Sequence, residues 1–141
     1  MYLKYSTAYL SGVVEMASSY SKYMGPSYMT ALCFDLKSPL EDFKKFYKIK
    51  EEINIEKIKT TYHDLLITLL GNDKDLIDTV EHWTRVRIGE VEEIYTVEEN
   101  SNLLNLLSGS DGGLSPFYML EDIYFIKFNK MFVIYMIGND E

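Results

Sequence analysis

Two apolar runs, residues 122–128 and 131–137, flank Asn129-Lys130, and this pattern predicts a β-hairpin with a two-residue turn. In that register Phe128 faces Met131, Ile126 faces Val133 and Tyr124 faces Tyr135. The opposite face carries Ile123, Phe125, Phe132, Ile134 and Met136, with Lys127 its only charge. Such a hairpin cannot be half solvated, because each large apolar side chain left in water forgoes about 1.5–3 kcal/mol. It is expected in the middle of a sheet covered on both sides, or on a surface that a partner covers, such as a second copy completing a homodimer sheet.

Upstream, apolar positions follow helical steps of three and four. Leu10, Val13, Val14, Ala17, Tyr20 and Met24 predict a helix from Ser6 to Met24, stopped by Gly25-Pro26. Met29 to Leu36 reads as a short buried strand. Ser38-Pro39-Leu40-Glu41 is a helix start, in which Ser caps exposed amides, Pro fits the first turn and Glu reaches back; the helix extends to about Lys50. A stripe of Ile55, Ile58, Tyr62, Leu65, Leu66, Leu69 and Leu70 predicts a further helix, capped by Asn54 and ended by Gly71-Asn72. Asp73 opens another, with Leu76, Ile77, Val80 and Trp83 on one face. Beyond Trp83, the alternation in Arg85-Val86-Arg87-Ile88 and the branched and aromatic residues from Glu93 to Val97 predict strands. Asn100 to Leu107 reads as a short helix, and Ser108 to Gly113 as a loop. The expected fold is one α+β domain over residues 1–141, with helices packed on a small mixed or antiparallel sheet that ends in the hairpin.

Composition agrees with a folded chain: 47% of residues are hydrophobic and 26% charged, and a chain of this length buries roughly 68–70% of its unfolded surface. Six of the twelve tyrosines fall in the first 28 residues, a supply of amphipathic surface that suits core edges and interfaces alike. The lone Cys33 lies in an apolar run, which excludes an intramolecular disulfide and leads us to expect a buried, unreactive thiol. The start of the chain lacks a basic region followed by an apolar stretch, and no apolar run approaches the about 20 residues that span a bilayer, so a soluble, cytoplasmic protein is expected.

Charge changes the picture more. Residues 1–63 hold nine Lys against seven Asp or Glu, a balance of +2, whereas residues 64–141 hold five Lys or Arg against fifteen Asp or Glu, a balance of −10. Concentrated negative potential attracts basic molecules and repels nucleic acid and anionic membranes, so neither of the latter is expected as a partner.

Residues that carry chemistry are sparse. His63 and His82 fall on different predicted helices, each next to an acid, Asp64 and Glu81, but adjacent helical residues point about 100° apart. Neither has a second His or Cys at a ligand spacing, and no metal or cofactor site is expected. The loop Gly109-Ser110-Asp111-Gly112-Gly113 lacks both the Gly-Lys-Ser/Thr ending of a phosphate loop and the spaced acids of a calcium loop. No Ser sits in a Gly-x-Ser-x-Gly elbow, so no catalytic residue is assigned. Trp83, Arg85 and Arg87 are suited to gripping an anion, yet Glu81, Glu90, Glu92 and Glu93 surround them, and ion pairing with those carboxylates is expected instead.

Glu90, Glu92, Glu93, Glu98 and Glu99 crowd around Val91, Ile94, Tyr95 and Val97, a mixture that fits a surface for a basic protein better than an enzyme cleft. The expected function is a non-enzymatic protein-binding module. Its partner contacts would come from Glu90, Glu92, Glu93, Glu98, Glu99, Asp111, Glu121 and Asp122, with Tyr95 and Tyr118 as anchors. In size, acidity and lack of catalytic motifs the chain resembles the broad class of bacterial immunity proteins that neutralise cognate toxins, and the resemblance implies an antitoxin-type protein that occludes a basic toxin such as a nuclease. Lys outnumbers Arg twelve to two, which suits a low-GC bacterium. The alternatives are a small-molecule-binding protein or enzyme with a pocket between helices and sheet, using His63, His82 or tyrosines, and the homodimeric subunit raised by the hairpin.

Overall fold

A computed structural model describes residues 1–109 and 117–140. The elements in chain order are α1 (Lys4–Tyr20), β1 (Tyr28–Phe34), α2 (Pro39–Tyr47), β2 (Ile55–Lys57), α3 (Tyr62–Leu70), α4 (Lys74–Arg87), β3 (Val91–Val97), α5 (Leu103–Leu107), β4 (Met119–Phe128) and β5 (Phe132–Asn139). The strands form one sheet of order β1-β5-β4-β3-β2, antiparallel throughout, so the fold is α+β as the patterning predicts.

The hairpin β4–β5 is the middle of that sheet, in the predicted register: Tyr124 pairs with Tyr135, Ile126 with Val133, and the Phe128 N–H donates to the Met131 carbonyl at 2.9 Å. One face, with Ile126, Phe128, Val133 and Tyr135, packs under Leu10 and Val14 of α1, Leu66 and Leu70 of α3, and Ile77 and Val80 of α4. The other, with Ile123, Phe125, Ile134 and Met136, packs under Phe43 and Tyr47 of α2 and Leu103 and Leu107 of α5. Both faces are covered and both edges paired within the chain. The two apolar rows of the hairpin are thus buried within the chain itself.

The structure departs from the periodicity in two places. Ile55 and Ile58 do not continue the α3 stripe, because residues 55–57 form β2 and the helix begins at Tyr62, where the Thr61 side chain accepts the Asp64 N–H at 3.1 Å. Residues three apart share a face on a helix but point to opposite faces of a strand. Here Ile55 joins the α2 side of the sheet and Ile58 the α1 side, so one spacing serves both geometries. Arg85-Val86-Arg87-Ile88 is likewise the end of α4 and not a strand. Val80, Thr84 and Ile88 extend the buried stripe, Val86 faces solvent, and the two arginines suit the negative end of the helix dipole. Gly89 then turns the chain at φ +117°, where any side chain would strike the Asn129 amide. That amide is committed: its oxygen accepts the Glu90 N–H at 3.0 Å, fixing the hairpin turn to the start of β3.

Smaller differences are at element ends. α1 stops at Tyr20, α2 stops at Lys48 with φ +56°, and Ser38 makes no side-chain cap bond although Pro39 opens α2 as expected. Asp73 does cap α4, accepting the Leu76 N–H at 3.2 Å.

Among the described residues the outer edge of β1 has no neighbouring strand over most of its length, and its outward amides are met by hydroxyls of α1. Cys33 N–H donates to Thr7 Oγ1 at 2.8 Å, Ala31 N–H to Ser11 Oγ at 3.3 Å, and Met29 N–H to Ser18 Oγ at 2.8 Å. Thr7, Ser11 and Ser18 are four and seven residues apart, one stripe of a helix. A helix laid along a strand edge in this way satisfies buried donors and blocks edge-to-edge pairing. Ser18→Ala should leave the buried Met29 amide unsatisfied and destabilise the protein by about 1–3 kcal/mol in urea unfolding, whereas Ser19→Ala, on the exposed side of α1, should stay within about 0.5 kcal/mol of the parent.

Candidate functional site

The acidic residues named above do not form one surface; β3 and β4 distribute them to two ends of the sheet. At the first end, β3 carries a bulge between Val91 and Glu93 opposite Phe128 and Lys127, with Glu92 as the extra residue. The bulge lets Val91 and Ile94 both face the α1 side and sends Glu93 and Tyr95 to the other. Here the carboxylates meet the chain's own cations. Arg85 Nε lies 3.0 Å from Glu90, Lys127 Nζ 3.4 Å from Glu92, and Lys57 Nζ 3.4 Å from Glu93. The Tyr95 hydroxyl also donates to Glu93 at 2.6 Å, and this bond, with Lys57 beside it, holds the Glu93 carboxyl below its ordinary range. Tyr95 is thereby tied down and half-buried. Arg85 fulfils the expected pairing with carboxylates; Arg87 departs from it, lying 5.3 Å over the Tyr9 ring with no ion pair to a carboxylate among the described residues.

A cleft of about 420 Å³ opens beside this end, lined in part by Lys57, Lys59, Tyr62, Glu81, Arg85 and Glu93. Its charges are of both signs. Beneath it the Tyr62 hydroxyl bonds to those of Tyr135 at 2.6 Å and Thr84 at 3.2 Å, and burial pushes Tyr62 up to about 12. α3 and α4 pack so that His63 Nδ1 bonds to Glu81 Oε1, while His82 sits edge-on to Trp83 with ring centroids 5.0 Å apart. Cys33 is buried, and burial pushes its thiol up to about 12, outside the range of a ready nucleophile.

Among the described residues the acids at the second end have no such partners. β4 carries its own bulge, between Leu120 and Asp122, with Glu121 as the extra residue. Glu121 Oε1 accepts only neutral donors, Ser27 Oγ at 2.7 Å and Asn139 Nδ2 at 3.0 Å. Asp122 is half-buried; it accepts the Ile123 N–H at 2.9 Å and the Tyr124 hydroxyl, yet desolvation, with Glu121 adding repulsion, leaves its carboxyl raised. Burial and the nearby Asp122 push Tyr124 up to about 12. Asp140 accepts the Tyr28 hydroxyl at 2.7 Å. Thr96 of β3 pairs with Tyr124, so Glu98 and Glu99 beyond the end of β3 lie toward the same end. Among the described residues no Lys or Arg forms an ion pair with Glu98, Glu99, Glu121, Asp122 or Asp140. Asp111 lies outside the described residues.

Glu121 and Asp122 line a cleft of about 590 Å³ whose other walls include Tyr23, Met24, Ser27 and Leu69. Tyr23 is held there by the end of α3: Gly71, at φ +87°, lets the Tyr23 side chain pack where a Cβ would stand 2.8 Å from it. Tyr23 remains 70% exposed, so an aromatic ring flanks the carboxylates, and Tyr118 and Met119 at the start of β4 are 48% and 50% exposed. Patterning finds Tyr118, Glu121 and Asp122 but not Tyr23, Met24, Ser27 or Leu69, which come from a turn and a helix end far away in the chain.

A carboxylate desolvated without a cation costs stability at neutral pH. Desolvation makes the ionised form of native Asp122 costlier than in the unfolded chain, and the penalty fades as pH falls through its raised native pKa. Asp122→Asn should therefore unfold at a higher temperature than the parent at pH 7, with the advantage shrinking on acidification toward pH values of about 4. Comparison of the chain with known protein families, curated proteins and solved structures finds no match.

Proposed function

We propose that this chain is a non-catalytic, cytoplasmic binding module that occludes a basic partner protein, as antitoxin-type immunity proteins do, and that the cleft at Glu121 and Asp122 is the centre of its contact surface. The observation that carries the reading is the contrast between the two acidic ends. Glu90, Glu92 and Glu93 are neutralised by Arg85, Lys127 and Lys57, whereas Glu121, Asp122, Asp140, Glu98 and Glu99 are left without cations among the described residues. An incoming Lys or Arg would seat its charge between Glu121 and Asp122 and its alkyl stem against Met24, Leu69 and the Tyr23 ring. Its charge would offset the desolvation penalty that raises Asp122, and pairs of this kind are worth about 2–5 kcal/mol when one partner is removed. The more exposed Glu98 and Glu99 would act mainly on association rate and its salt dependence. This moves the anchors from Tyr95, which is engaged with Glu93, to Tyr23 and Tyr118.

The small-molecule reading draws on one observation, the His63–Glu81 bond beside the 420 Å³ cleft. The cations facing that cleft are largely spent on its own carboxylates: Lys57 on Glu93, Arg85 on Glu81 and Glu90.

Tagged protein incubated at low salt with an extract of its native host should retain a basic protein. A Glu121→Gln/Asp122→Asn variant should lose that protein by about tenfold or more in affinity, and a Glu92→Gln/Glu93→Gln variant should keep most of it. Equal capture by all three, or no basic protein at low salt, would remove the reading.

A further inference from the structure

We propose that His63, Asp78 and Glu81 form a binding site for a divalent transition-metal ion, with zinc the best fit, that ties the first turn of α3 to the middle of α4. One ligand atom from each residue lies within 4.8 Å of the others, and the set combines an imidazole with two carboxylates. The arrangement follows from the two helices. Asp78 and Glu81 are three apart on α4 and so share its surface, and the Thr61 cap fixes the start of α3 so that His63 Nδ1 reaches Glu81 Oε1. Around a tetrahedral zinc with bonds of about 2.0–2.2 Å, ligand atoms stand about 3.4 Å apart, so side-chain rotations of well under a turn bring the three donors into place. The fourth position faces solvent, since His63 and Asp78 are both exposed.

The neighbouring cations do not bar the ion. Lys74 Nζ, 2.5 Å from Asp78, belongs to a side chain 83% exposed, an i,i+4 pair that is readily given up. Arg85 lies 3.9 Å from Glu81 but 3.0 Å from Glu90, so it keeps its closer partner when Glu81 turns to a metal. The imidazole sets the choice of metal: magnesium and calcium take oxygen ligands, whereas zinc and its neighbours accept nitrogen with carboxylate. The spacing of His and Cys residues passes over this set, because its other two ligands are carboxylates and its members meet only when α3 packs on α4.

Zinc chloride titrated calorimetrically into the metal-free full chain should bind with one equivalent and raise the thermal unfolding midpoint as zinc increases, while magnesium chloride should do neither. Loss of a residue that merely orients a ligand costs about 10- to 100-fold in metal affinity, so His63→Ala and Asp78→Asn should each cost at least tenfold. His82→Ala should leave binding unchanged and excludes the other histidine as the ligand. Absence of saturable zinc binding, binding undiminished in His63→Ala, or magnesium binding as tightly as zinc would each overturn the proposal.

Discussion

Everything in this fold follows from a β-hairpin that is apolar on both faces. β4 and β5 cannot lie at an edge or on a surface without exposing one row of Phe, Ile, Val and Met side chains, so the rest of the chain is arranged to cover them. α1, α3 and α4 take one face and α2 and α5 the other, while β1 and β3 complete the two ladders. The sheet then ends in two weak edges, each protected by its own device. β2 is three residues long and carries Glu56 and Lys57; β1 is lined by the hydroxyls of α1.

The parts of this plan that rest on local chemistry are legible in the sequence. The hairpin and its register, the Asp73 cap, the Pro39 helix start and the strand nature of residues 93–97 all follow from residue pattern alone. What is not legible depends on which of two geometries uses the same spacing. Ile55 and Ile58 fit a helix stripe and a two-faced strand equally well, and pairing with β3 decides between them. The alternation of Arg85 to Ile88 imitates a strand, but the stripe from Leu76 through Val80 and Thr84 to Ile88 holds it in α4.

The candidate site was half legible for a related reason. A count of charges finds the acidic half of the chain but not which carboxylates are answered by cations, because Lys57 meets Glu93, and Arg85 meets Glu90, only through strand pairing and the turn at Gly89. Two bulges set the outcome, each placing a glutamate as the extra residue. The one at Glu92 sits beside Lys127, whereas the one at Glu121 sits beside Ser27 and Asn139. The acidic excess thus becomes free potential at one end of the sheet, next to a desolvated Asp122 and exposed tyrosines. Holding a desolvated carboxylate without a cation works against stability, a cost that proteins retain where a site needs the charge.

The most direct test of this account is an NMR titration of the isotope-labelled protein with a short peptide containing lysine and arginine, at low and at physiological salt. The amides of Ser27, Glu121 and Asp122 should shift in a saturable, salt-sensitive way while those of Glu90 to Glu93 stay in place. Shifts centred on Glu90 to Glu93, or spread evenly over all exposed acids, would contradict it.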